Sequence, residues 1–208
     1  AFAAGQVRDD ADKRLFVVGL GNPGRQYEQT RHNVGFRVVD LLRQKYQAGE
    51  GRSAFGGQLW QARPAGPNES RQSVVLFEPH TYMNRSGQAV RELLGFYKAP
   101  AEDVLIVLDD MNLPVGRLRL RADGSSGGQK GLADVVAQLG TQSVPRLRIG
   151  IGSPPGRMDG ADFVLSKFSP DELEVVDAAI VEAAEAVNDW VFFGIGWAME
   201  RHNRKPEE

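Results

Sequence analysis

His32 is the residue in this chain best placed to do acid–base chemistry. It is one of three histidines and sits in "TRHN", shortly after the tight glycine turn "GLGNPG" that ends an apolar run. A lone histidine is more often structural, but sheets with helices on both faces carry their sites beyond the carboxyl ends of strands, and this position brings the functional reading to equal weight. His80 and His202 have no such setting and read as structural or surface residues. A second apolar run ends in "LDDMNLP", which puts Asp109 and Asp110 at another strand end. Two adjacent acids fit a metal site, a carboxylate that orients a histidine, or a solvated turn. The metal reading lacks any H-E-x-x-H or comparable ligand spacing. If the two strands are neighbours, Asp109 can accept a hydrogen bond from His32. That would fix the ring tautomer and leave the other nitrogen able to deprotonate a water. In "EPHTYMNRSG", Asn84 can cap a following helix or donate its amide to a carbonyl oxygen as charge develops there. The segment by itself favours the cap.

Two glycine-rich stretches suggest phosphate chemistry. Gly19, Gly21 and Gly24 form a G-x-G-x-x-G, the spacing of a dinucleotide-binding turn. That turn needs a helix starting inside the motif, with its N–H groups facing a pyrophosphate. Here Asn22-Pro23-Gly24 is a turn, the next residues are polar, and helical spacing begins only near Val34. The acid at the required distance, Asp40, falls inside that helix. A nicotinamide or flavin oxidoreductase therefore rests on the glycines alone, and a tight strand-to-loop turn is the better reading. Asn22, Tyr27, Arg31 and Asn33 remain as polar side chains around His32. The second stretch, "DGSSGGQKG", lacks the G-x-x-x-x-G-K-[ST] order of a nucleotide-binding loop. Its backbone could still touch a phosphodiester. Arg119 and Arg121 alternate on one strand, Arg146 and Arg148 on another, and Lys130 lies between them, which points to an anion-binding patch.

The elements that must position these groups read as an alternation of strands and helices. Residues 15–20 and 104–109 form buried strands, and "GQLWQA", "SVVLFEP", "GRLRLRA", "RLRIGIG" and "FVLSKF" add further ones. Helical spacing runs from Val34 to about Gln47, from Arg85 to Lys98 and over 129–139. The last helix is marked by Ser169 at the N-cap, Pro170 at the first helical position and acids in the first turn. This pattern predicts an α/β fold, one three-layer α/β/α globule with a twisted central sheet. The hairpin-like link between 104–109 and 116–121 predicts antiparallel pairing there, and so a mixed sheet. The length of 208 residues suits one domain, expected over 14–208, with residues 1–13 as a mobile extension lacking the apolar centre of a secretory signal. No stretch approaches a membrane span. Without cysteine there are no disulfides, thiolate metal sites or cysteine nucleophiles. A net charge of −2 means that an anionic partner must be met locally. A cytoplasmic monomer is the expected form.

"VVGLGNPGRQYEQTRHNVGF", "EPHTYMNRSGQAV", "VLDDMNLPVGRLRLRADGSSGGQKGL" and "RLRIGIGSPPG…FVLSKF" together resemble the bacterial-type peptidyl-tRNA hydrolases over roughly residues 14–203. The resemblance implies cleavage, without metal or cofactor, of the ester joining a peptide to the 3′ end of tRNA. It implies His32 as the catalytic histidine and Asp109 as its partner. Asn22 and Asn84 match the family's cleft asparagines, and Tyr27 and Met83 match cleft-lining positions. Arg119, Arg121 and Arg148 fall where the family contacts tRNA phosphate, and the C-terminal helices resemble the family's basic end near the tRNA acceptor arm. One motif departs: well-known members carry His-Asn in the glycine loop where this chain has Gln129-Lys130. Lys130 lacks the paired donor and acceptor of an amide and binds phosphate as a point charge. The departure predicts altered substrate clamping. It also keeps open a rival, a non-catalytic RNA-binding relative like the splicing factor that shares this fold.

Overall fold

The apolar runs form strands because both of their faces are covered. In β1 (Arg14–Gly19), Leu15 and Val17 face one helical layer, while Phe16 and Val18 face the other. The same alternation recurs in β4 (Ser73–Pro79) and β5 (Val104–Asp110), so the runs are continuous rather than alternating. The computed structural model describes residues 13–203. Of the segment expected to be a mobile extension, residues 1–12 lie outside the described residues. Lys13 is held by an ion pair with Asp103 at 2.7 Å.

The sheet is completed by β2 (Arg52–Ala54), β3 (Gly57–Ala62), β6 (Leu118–Arg121) and β7 (Arg146–Gly150). Its order is β2-β3-β4-β1-β5-β7-β6. β4, β1, β5 and β7 are parallel, and the outer strands β2, β3 and β6 run antiparallel to their neighbours. α1 (Val34–Lys45), α5 (Pro170–Phe193) and α6 (Ile195–His202) cover one face, while α2 (Ser86–Tyr97) and α3 (Lys130–Leu139) cover the other. The α/β three-layer fold with a mixed sheet is the one expected. No helix among the described residues is long and apolar enough to cross a membrane.

Two expectations need correction. β6 does not pair with β5, because β7 lies between them. β7 is buried along its whole length and needs a neighbour on each side, whereas β6 alternates buried Leu with exposed Arg and suits the edge. Periodicity reports how a strand is covered, not which strand it pairs with. "FVLSKF" is not a strand either. Its first residues close a short helix, α4 (Gly160–Val164), capped by Asp159 accepting from the Ala161 N–H at 2.7 Å. Only Lys167 bridges to another strand-like residue, Thr30.

The glycine motif is a packing device. A Cβ on Gly19 would lie 2.3 Å from the Gly35 carbonyl oxygen, and one on Gly35 would lie 2.5 Å from the carbonyl oxygens of Leu20 and Val107. α1 can therefore press directly on β1 and β5. Its first turn begins only at Val34, well past Gly24, so the loop presents no helix N-terminus inside the motif. α5 starts as its sequence predicts, with a capping box in which Ser169 accepts from the Glu172 N–H and Glu172 from the Ser169 N–H.

Gly35→Ala should lower the unfolding free energy by about 1–3 kcal/mol through overpacking. Gly95→Ala, where a Cβ on α2 meets nothing within 4 Å, should raise it by about 0.4–1 kcal/mol. Urea titration of the two variants reads the opposite signs.

Candidate active site

β1 and β5 are adjacent and parallel, so their carboxyl ends open on the same side of the sheet. A single 3-10 turn, Arg31–Asn33, carries the chain from the β1 loop into α1 and swings His32 over the end of β5. There His32 Nδ1 lies 2.8 Å from Asp109 Oδ2. Asp109 is 1% exposed. Its other oxygen accepts from Gln129 Nε2 at 2.9 Å. The carboxylate is thus held from two sides, a setting that favours the tautomer with its proton on Nδ1, in which Nε2 is an acceptor. The pair opens into a cleft of about 540 Å³.

Asn22 forms the neighbouring wall. Asn33 clasps it from behind: the Asn22 N–H donates to Asn33 Oδ1, and Asn33 Nδ2 donates to the Asn22 carbonyl, both at 2.9 Å. Asn22 Oδ1 accepts from the Met83 N–H at 2.9 Å. That bond fixes which end of the amide is oxygen, and the Nδ2 donors are left for the cleft. Met83, buried behind Asn22, touches Gln129, whose Nε2 is 3.2 Å from its sulfur. Asn84 does not cap α2. It is exposed within the 3-10 turn Met83–Arg85, outside the cleft lining. Tyr27 is half-buried on the preceding turn and is also outside that lining. Tyr82, just before Met83, has φ 60° and ψ 158°, a strained conformation for a residue with a side chain.

The opposite wall went unrecognised in the sequence: Gly160, Ala161 and Val164 of α4 and Leu165 just after it, together with Met111. Arg31 holds this wall in place. Its guanidinium makes a two-pronged contact with Glu172, at 2.9 and 2.7 Å. Its carbon lies 4.5 Å from the Phe163 ring centroid and 4.6 Å from that of Phe168. Nε and Nη1 also donate to Ser166 Oγ and the Ile151 carbonyl. The residue before His32 thus ties the histidine turn to α4 and to the start of α5. Asp110 serves as a brace, accepting from the Asn112 N–H at 2.8 Å and from Arg148 Nη1 at 3.1 Å. No cluster of three or more His, Cys, Asp or Glu side chains among the described residues could hold a metal ion.

The arginines divide into two sets. Arg146 donates to the carbonyls of Val144, Gly124, Ser125 and Gln142, and Arg148 donates to Ser125 and Asp110. Both are buried. Burial, and then the Arg148 charge, bring Arg146 down to about 10, so it stays charged at neutral pH. These two hold the glycine loop rather than present charge to a partner, a correction to their reading as part of an anion-binding surface. Arg119 and Arg121 lie opposite Arg148 and Arg146 across the β6–β7 pairing and are exposed. Lys130, exposed at the first turn of α3, lines the cleft. His202, read as structural, is held by Asp189 at 2.8 Å, and His80 lies at the surface beside Glu78.

Comparison with known proteins agrees with this architecture. The family model described as Peptidyl-tRNA hydrolase matches residues 16–208. The chain is 47% identical over 187 residues to the peptidyl-tRNA hydrolase of Rhodopirellula baltica, covering 90% of this chain and 96% of that one. It is 46% identical over 188 residues to the enzyme of that name from Chloroflexus aurantiacus, covering 90% and 97%. The crystal structure of peptidyl-tRNA hydrolase from Acinetobacter baumannii superposes with a TM-score of 0.80 at 37% identity, covering 91% of this chain and 94% of that one.

The Arg31 contact, followed by the Ser169 cap, holds the Glu172 carboxyl at about 2, below its usual 4.5. A carboxyl lowered on folding stabilises the fold fully above its ordinary value and loses that contribution as pH falls through the lowered one. The stability gap between wild type and Glu172→Gln should therefore be wide at about pH 6 and narrower at about pH 3, as read by denaturant unfolding at the two values.

Proposed function

The chain belongs to the peptidyl-tRNA hydrolase family, and from that premise we propose that it hydrolyses the ester between a peptide and the 3′ end of tRNA with His32 as general base and Asp109 as its orienting partner. The observation that carries this reading is the 2.8 Å contact between His32 Nδ1 and the buried Asp109 carboxylate at the mouth of the cleft. With Nδ1–H directed at Asp109, Nε2 accepts a proton from water. The water oxygen attacks the ester carbonyl, and the carbonyl electrons move onto oxygen. Asn22 Nδ2, the amide donor left over by the clasp behind it, stabilises that oxyanion. The carbonyl then re-forms as the bond to the ribose 3′ oxygen breaks, the imidazolium gives its proton to that oxygen, and the new carboxylic acid loses its proton to water, leaving free tRNA and a peptide carboxylate. A positioned base contributes about 10²–10⁴-fold and an oxyanion donor about 10²–10³-fold. The route draws on side chains and water alone.

Residues 14–208 act in this reading as one hydrolase unit. Met83 backs the cleft wall, and Asn84 and Tyr27, exposed and half-buried outside the cleft lining, take the outer part of the peptide. Arg119 and Arg121, with Lys130 at the cleft rim, take the backbone of the acceptor arm. Arg148 supports the same surface indirectly, through its hold on Ser125 and Asp110. The non-catalytic RNA-binding alternative is disfavoured because the His32–Asp109 pair opens into the cleft, unlike the structural His202–Asp189 pair, which does not line it.

His32→Ala should retain the fold and tRNA affinity while turnover of an N-blocked aminoacyl-tRNA falls by about 10²-fold or more. Near-normal turnover would refute the base assignment. Replacing Arg119 and Arg121 with Gln should weaken tRNA binding and lower the slope of log affinity against log salt by about one per arginine removed. An unchanged slope would remove them from the interface.

A further inference from the structure

We propose that Gln129 is a positioning residue for the His32–Asp109 pair, holding the Asp109 carboxylate in the plane from which it orients the imidazole. This inference rests on the base assignment above. Gln129 is the N-cap of α3, where its Oε1 accepts from the Leu132 N–H at 2.7 Å. The helix alone does not explain that choice. Ser, Thr, Asp and Asn are the favoured caps, and any of them would serve a helix start as well or better. They are also shorter. Gln reaches further, and its Nε2 donates to Asp109 Oδ1 at 2.9 Å. Because a backbone N–H faces one end of the amide and a carboxylate faces the other, the orientation of the amide is determined. The remaining hydrogen on Nε2 has the Met83 sulfur 3.2 Å away.

The consequence falls on Asp109. A carboxylate this deeply buried needs donors on both oxygens. Among the described residues those donors are His32 Nδ1 on Oδ2 and Gln129 Nε2 on Oδ1. Held at one oxygen only, the carboxylate can rotate about its own bond and carry the imidazole with it. Held at both, it presents Oδ2 to His32 in a single geometry. Gln129 also joins the pair to the start of α3, next to Lys130 at the cleft rim, so the glycine loop and the base are set by the same side chain. The other charged groups at the cleft are Lys130 at the start of α3, Asp159 ahead of α4, and Asp110 on β5 with its partner Arg148 on β7.

Two substitutions separate the cap from the contact. Gln129→Ser keeps a good helix cap and removes the donor to Asp109. Gln129→Glu keeps an acceptor for the Leu132 N–H and turns a second carboxylate toward Asp109. With N-blocked aminoacyl-tRNA as the probe and assay well below the thermal midpoint, Gln129→Ser should lose about tenfold or more in kcat through misplacement of the base, with KM close to wild type and a midpoint lowered by the lost donor to Asp109. Gln129→Glu adds a negative charge that favours the protonated, inactive imidazole. It should move the acid limb of the kcat/KM profile up by about one pH unit. Wild-type kcat in Gln129→Ser, a loss of kcat that disappears on assay well below its midpoint, or an unmoved acid limb in Gln129→Glu would each overturn the inference. If Gln129→Glu does not fold, kcat, KM and midpoint of Gln129→Ser decide alone. His32→Ala is run beside them. If it keeps activity, the base assignment itself has failed; if it is dead while the Gln129 variants behave as wild type, only the positioning role has failed.

Discussion

A carboxylate taken out of water at the end of a central strand must be given hydrogen-bond donors or it will not stay ionised there. Asp109 is in that position, and much of the surrounding architecture can be understood as supplying its two donors. One is an imidazole on the turn that follows β1, brought across by the parallel pairing of β1 with β5. The other is an amide at the start of α3, delivered by the glycine loop. His32 reaches it because β1 and β5 are adjacent, and Gln129 because the glycine loop after β6, held by Arg146 and Arg148 of β7, returns to the end of β5. Lengthening either connection would leave a buried charge with half its partners.

The close approach of α1 to the sheet is what makes the first delivery possible. Gly19 and Gly35 have no side chains to hold the helix away, so the turn before α1 lies flat over the strand ends. The turn is then locked from the far side by Arg31. Its guanidinium lies between the rings of Phe163 and Phe168 and bonds to Glu172, so α4 and the first turn of α5 are fastened to the residue next to His32. A planar, always-charged group with donors in several directions suits this place, and a lysine would satisfy only part of it. The apolar wall that α4 gives the cleft is thus a by-product of the same contact.

The glycine loop has a comparable internal skeleton. Arg146 and Arg148 sit beneath it and bond to its carbonyls, with Asp110 as an anchor. Their charges are directed inward, toward the chain, while Arg119 and Arg121 on the edge strand and Lys130 on α3 face outward. An alternating run of arginines on two strands therefore contains two different jobs. Which arginine does which depends on whether its strand is central or at the edge of the sheet.

The amino-acid order alone determined the three-layer α/β class, most helix starts and the buried strands, because those follow from local periodicity and capping chemistry. Ser169 and Pro170 announce α5 in a few residues, and the context around Gly24 was enough to reject a dinucleotide turn. His32, Asp109 and Asn22 stood out by residue type at strand ends and by family resemblance. The order could not reveal that β7 inserts between β5 and β6, since pairing partners are chosen by non-local burial. "FVLSKF" looked like a strand from its β-forming residues, whereas its first two residues end a short helix that Asp159 caps. Asn84 as a cap, Arg148 as an exposed cation and Gln129 as a mere departure from a motif were all limited in the same way. A side chain's role depends on which way it points and what lies across from it. Those are properties of residues far apart in the chain, and only the folded protein brings them together.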